Sequence, residues 1–156
     1  MLWVCRAGQK GCYFSKYIEE KRIFLPWDGY RIDLSKYGSV EEFRPIVAQE
    51  KNTDNRTSVS NWSGQLSAFV KQMQIGDYVL IPSAYSRFYV FGRITSDYRY
   101  SPDEDLCHSR DIEIIKKDIS RSIFSQSILY SLGAYRTVFQ PRYKEEIVTV
   151  ILDLIR

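Results

Sequence analysis

The chain has 156 residues, of which 44% are hydrophobic and 26% charged, the balance of one ordinary globular domain. Extended disorder and collagen-like repeats are excluded, and no apolar run reaches the ~18 residues of a membrane-spanning helix. Lys and Arg number 22 against 19 Asp and Glu, and the net charge of +3 lies in residues 1–75, which permits a nucleic-acid partner without requiring one.

Leu2 to Arg6 reads as a strand, followed by a turn at Gly8 and Gly11. Cys12 to Lys21 reads as a short helix on the spacing of Phe14, Tyr17 and Ile18. Arg22 to Pro26 is a short strand, closed by proline, and Trp27-Asp28-Gly29 is a turn. Ser39 with Glu42 predicts a capped helix to about Ala48, with Pro45 in its first turns. A polar loop covers 50–57. Ser58 then caps a long helix to about Gln74, whose apolar stripe is Val59, Trp62, Leu66, Phe69, Val70 and Met73. Gly76 ends it. Tyr78 to Pro82 and Arg87 to Thr95 form a hairpin around Ser83 to Ser86. Arg110 to Lys116 reads as a strand, Ser125 to Ser131 as a helix, Thr137 to Gln140 as a closing strand, and Lys144 to Ile155 as a last helix. Short strands mixed with a few helices give an α+β domain, a small barrel with helices at its rim. Residues 1–156 make one domain, and the helix that stops at Arg156 would suit a piece of a longer, multidomain protein.

Enzyme signatures are missing. There is no Walker loop, no GxGxxG, no HExxH, no CxxC pair and no G-x-S-x-G elbow. Cys5, Cys12 and Cys107 are odd in number and lack metal spacing, which disfavours a disulfide framework or zinc site and suits a reducing cytoplasm. His108 reads as a loop histidine after Asp103-Glu104-Asp105. Asp111, Glu113 and Lys116 echo a nuclease core, but Glu113 and Lys116 would point to opposite faces of a strand. No catalytic residue, metal or cofactor is expected.

Aromatic residues make up 15% of the chain. They can fill a core or stack on planar ligands. On the strand from Arg87, one face carries Phe88, Val90 and Ile94, and the other Arg87, Tyr89, Phe91 and Arg93. The second face could lie along a nucleic-acid strand, or be a barrel face covered by a helix. Asn61 and Gln65 share one face of the long helix, and amides can read a base edge. Trp62 projects ~100° away, in the apolar stripe. Trp27, in its turn, is the better aromatic wall.

The order of these motifs resembles the EVE-type domains of the PUA-like superfamily, relatives of the YTH readers. The residues that carry the likeness are Leu2-Trp3-Val4, Trp27-Asp28-Gly29, Asn61, Met73 to Asp77, Pro82-Ser83 and Val90 to Ile94. The chain is also similar to N-terminal domains of Mrr-like restriction endonucleases, through Trp3 to Gly8, Gly76 to Pro82, Gly92 to Tyr100 and Ser131-Leu132-Gly133. The resemblance implies a PUA-like mixed β-barrel and a pocket for one flipped, modified base. It implies a non-enzymatic reader of modified double-stranded DNA that targets a restriction or phage-defence protein, with any nuclease on another domain or chain. Trp27 would stack, Asn61 would read the base edge with Gln65 in support, Ser83 and Tyr85 would line the pocket, and Arg87 and Arg93 would meet phosphates. The alternative is a module for a small nucleotide or other planar ligand in the same cavity.

Overall fold

The apolar runs read as strands meet in one sheet. The computed structural model describes residues 1–156. Its strands are β1 (Leu2–Cys5), β2 (Arg22–Phe24), β3 (Tyr78–Pro82), β4 (Phe88–Ile94), β5 (Arg99–Tyr100), β6 (His108–Ser120) and β7 (Val138–Phe139). Its helices are α1 (Phe14–Glu20), α2 (Val40–Lys51), α3 (Arg56–Ser67), α4 (Gln126–Leu132) and α5 (Lys144–Ile155). The strand order is β2-β6-β4-β3-β1-β7, with β5 also paired to β6. Only β1 and β3 run parallel. The sheet curls into a half-barrel, so the architecture is α+β.

Both faces of this sheet are covered, which is why β3 reads as an unbroken apolar run. One face carries Trp3, Val79, Ile81, Val90 and Ile94, packed with Tyr17, Phe43, Leu66 and Phe69. The other carries Leu2, Val4, Leu80, Tyr89 and Phe91, packed with Ile128 and Leu132 of α4 and Ile147 and Ile151 of α5. The period-two alternation of β-strands assigns neighbours to opposite cores.

Of the two sequence readings of the β4 faces, the structure selects the covered one. The face of Arg87, Tyr89, Phe91 and Arg93 is no open platform, because Tyr89 and Phe91 are buried beneath α4 and α5. Phe88, expected inside, is exposed at the strand start and meets Phe14 edge to face. The register of β4 against β6 slips twice between Tyr89 and Gly92. Gly92 belongs there, since a Cβ would lie 2.7 Å from the Glu113 carbonyl oxygen.

Several boundaries shift for identifiable reasons. Asn55 caps α3, not Ser58: its side chain accepts the Ser58 backbone N–H at 3.0 Å. Glu42 accepts the N–H of Gly38 at 2.6 Å, while Ser39 makes no side-chain cap bond. The long helix is broken after Ser67 into a π-helical stretch over Ala68–Gln72. The buried Arg110 guanidinium meets it there, donating to the carbonyls of Phe69 (2.8 Å) and Val70 (3.1 Å) and, at 3.3 Å, to that of Ser96.

His108 is not a loop residue. It opens β6, buried between the rings of Tyr98 and Tyr100. Its Nε2 lies 2.7 Å from the Tyr30 carbonyl and its Nδ1 2.6 Å from the Tyr98 hydroxyl. A carbonyl only accepts, so Nε2 carries the proton. Burial pulls the imidazole pKa below its usual value. No helix is long and apolar enough to cross a membrane.

Candidate functional site

Five chain segments converge at one end of the parallel β1–β3 pair. The first is the exit of β1, Arg6 to Gly11, and the second is Pro26-Trp27-Asp28 after β2. The third is the α3 face bearing Asn61, Trp62 and Gln65, joined by Lys51 from the end of α2. The fourth is the β3–β4 turn, Pro82 to Ser86, and the fifth is a strap, Gly133 to Thr137, between α4 and β7. Together they enclose a cavity of about 920 Å³, within the size range of small-molecule sites.

Close backbone contact makes this possible. Gly11 has φ +73°, and a Cβ there would lie 2.8 Å from the Ala84 Cα. Only glycine lets the β1 exit press against the β3–β4 turn. That turn is itself strained, with Tyr85 and Ser86 at φ 59° and 53°. Ser83 closes it, accepting the Phe88 N–H on its hydroxyl at 2.9 Å.

The strap is pinned from two sides. Arg6 donates to the carbonyls of Leu132 (2.7 Å) and Ala134 (3.2 Å). The buried Gln65 amide accepts the backbone N–H groups of Thr137 (2.9 Å) and Val138 (3.0 Å). The Trp27 indole N–H reaches the Thr137 hydroxyl at 3.3 Å. Burial lowers the Arg6 pKa from the usual guanidinium value, and its Nε finds no partner.

Two tryptophans make an aromatic corner. Trp27 and Trp62 lie 4.6 Å apart at 75°. Lys51 Nζ stands 3.7 Å from the centre of the Trp62 ring, a cation–π contact. Asn61 is exposed, and its carbonyl faces the Gln65 amide N–H₂ at 3.4 Å. That leaves the Asn61 N–H₂ free to donate to a ligand.

The lining is basic. It holds Arg6, Lys10, Lys51 and Arg136 against a single acid, Asp28. No histidine or cysteine lines it, and no cluster of three His, Cys, Asp or Glu side chains is gathered anywhere for a metal. The arrangement can clasp a flat, hydrogen-bonding molecule carrying negative charge.

All five residues expected to bind ligand, Trp27, Asn61, Gln65, Ser83 and Tyr85, line this cavity. Gln65 and Ser83 are committed to backbone groups, so they shape the wall. The two arginines expected at phosphates are not in it. Arg93 lies over the Tyr78 ring, 4.7 Å from its centre, and donates to the Tyr78 hydroxyl at 2.6 Å. Tyr78 opens β3 and Pro82 ends it at the cavity, a distance of roughly 13 Å at strand rise. Arg87 is exposed beside the turn but does not line the cavity.

The sequence reading missed Trp62, Arg6, Lys10, Lys51, Tyr135 and Arg136. Trp62 does follow the apolar stripe and touches the core, yet its other side lines the cavity. Gly8 and Gly11, flanking Lys10, were the available signal for a tight backbone approach. Nothing local marked Lys51 or the strap, which arrive by tertiary contact.

No curated protein and no solved structure matches the chain. One family model does, that of a domain of unknown function, DUF8426, over residues 3–139. That span runs from β1 to β7 and contains every wall of the cavity, and the chain belongs to the DUF8426 family.

Proposed function

We propose that this protein is a PUA-like nucleic-acid reader that takes one everted, modified base of double-stranded DNA into the cavity between Trp27, Asn61 and Trp62. It acts as the targeting module of a restriction or phage-defence protein, and any nuclease lies on another domain or chain. The observation that carries the reading is the joint lining: two tryptophans at a near right angle, an amide with free donors, and four cations against one acid. A base removed from its stack loses a few kcal/mol, and aromatic walls restore it. Phosphates would meet Lys10, Lys51 and Arg136 at the cavity, in place of Arg87 and Arg93.

The test is a binding panel of duplexes with different modified bases, repeated at two salt concentrations. Trp27→Ala is expected to weaken binding by about 5- to 150-fold, the loss of one stacked base. Three cations at phosphates predict a log–log salt slope of about −3. Equal binding of the variant and the native protein to every duplex would end the reading. Tight binding of free nucleotides alone would favour a small-ligand module instead.

A further inference from the structure

A second concavity adjoins the first. It runs along α3 against the segment 134–140, and the two share Asn61, Gln65, Ala134, Tyr135 and Arg136. Its charge differs. Apart from Arg136, its polar lining is neutral, with Asn55, Thr57, Ser60, Gln72 and Gln140 among the side chains. The first cavity suits a charged ligand, and the groove suits sugar hydroxyls and base edges.

Tyr135 stands on the divide and lines both. It is 99% exposed, makes no side-chain hydrogen bond and stacks on no ring. The backbone presents it outward, because Arg136 N–H closes on the Ala134 carbonyl at 2.9 Å, a three-residue turn with Tyr135 at its centre. The strap is held on both sides by Arg6 and Gln65, so the ring is offered on a fixed support. Tyr85, also lining the cavity, is 69% exposed on a backbone of φ 59°. A left-handed backbone is strained for tyrosine. Exposed rings on a pinned strap and a strained turn present flat surfaces whose backbone is already held before binding.

We propose that Tyr85 and Tyr135 stack on the two bases flanking the one in the cavity, so that the ligand is an internal position of a nucleic-acid strand and not a free nucleotide. The inference rests on the base-pocket reading. The strand passes from the basic cavity over Tyr135 into the neutral groove, with Arg136 beside the crossing to meet its phosphate.

The experiment compares deoxynucleoside monophosphates with trinucleotides. Monophosphates of cytosine, 5-methylcytosine, adenine and N6-methyladenine are titrated first, by calorimetry. Each base then becomes the centre of a dT-X-dT trinucleotide. The trinucleotides are expected to bind at least tenfold more tightly than the best monophosphate, and each flanking stack contributes about 5- to 150-fold. Tyr135→Ala and Tyr85→Ala should each cut the trinucleotide affinity by a larger factor than the monophosphate affinity, lowering the ratio of the two by about fivefold or more. Tyr130→Ala, an 89% exposed tyrosine on α4 that lines neither cavity, should change nothing. Detectable trinucleotide binding without monophosphate binding would also support the proposal. Equal binding of the two lengths, or an unaltered ratio in both tyrosine variants, would overturn it and leave the pocket standing. Failure of every probe to bind would sink the pocket with it.

Discussion

Gln65→Leu separates a wall residue from a ligand contact. The Gln65 side chain is almost fully buried, and its carbonyl oxygen is the acceptor for two successive backbone donors, Thr137 and Val138. Leucine keeps the volume and removes the acceptor, leaving two N–H groups without a partner. Each buried, unmade donor costs about 1–3 kcal/mol. Added apolar contact offsets part of that, so the net loss is roughly 2–4 kcal/mol. A domain of this size loses about 2–4 °C of Tm per kcal/mol, which predicts a drop of roughly 5–15 °C by calorimetry. Amide exchange at Thr137 and Val138 should accelerate with it, because the strap is the element released. Gln65→Glu keeps an oxygen for both donors and should recover at least half of the drop near neutral pH. A Gln65→Leu protein melting within about 2 °C of the native one would refute the clamp, since two unpaired donors shielded from water cannot cost so little. Its Val138 amide would then also exchange at the native rate.

Two further outcomes follow from buried groups. Arg110→Met strips the guanidinium from the carbonyls of Phe69, Val70 and Ser96, and a urea unfolding curve should show a loss of about 3–5 kcal/mol; a loss below about 1 kcal/mol would mean the π-helical stretch holds without it. His108 sets a pH dependence. Its folded pKa is depressed by burial, with Arg31 lowering it further and the Tyr30 carbonyl and Asp33 opposing. The unfolded state therefore takes up a proton first as pH falls. Stability should be level above about pH 7 and decline below about 6.5, with a slope of at most about 1.4 kcal/mol per pH unit. His108→Gln should flatten that decline between pH 5 and 6.5; an unchanged slope would assign it to other groups.

The sequence made the local elements legible where a single period governed the segment. β3 at Tyr78–Pro82 and α5 at Lys144–Ile155 fall on the expected residues. Legibility failed where a distant residue changed the local answer. Arg110 meets the stretch after Ser67 from the far side of the core, 41 residues from Phe69, and no window on α3 contains it. β6 runs four residues past Lys116 to Ser120 because β4 is there to pair with it at Phe88 and Tyr89. Polar residues such as Lys117 and Asp118 would not propose a strand alone. For Tyr89 and Phe91 the sequence leaves an open face and a covered face both standing, because alternation tells which residues share a side. It does not tell which sides are covered, and here α4 and α5 cover the second.

The site divides the same way. Trp27, Asn61, Ser83 and Tyr85 could be picked out because each sits in a turn or on a polar helix face that packing does not explain, and all four arrive at one cavity. Gln65 was picked for its amide and serves through it, but toward the backbone of the strap. Arg87 and Arg93 lie outside the cavity for a physical reason. Arg87 and Arg93 flank the aromatic strand in sequence, and a strand rises roughly 3.3 Å per residue. Six residues of separation thus cannot keep both beside one pocket. The charges that do gather there come from three separate segments, Arg6 and Lys10 after β1, Lys51 ending α2 and Arg136 on the strap. Two of those segments end or begin at a left-handed or glycine position, the first at Gly8 and Gly11 and the second at Asn52 after Lys51. Chain reversals of that kind bring loop cations to a common mouth. The basic excess in residues 1–75 is where three of the four cations lie, so the modest charge of +3 is a local property of the cavity and not a diffuse one.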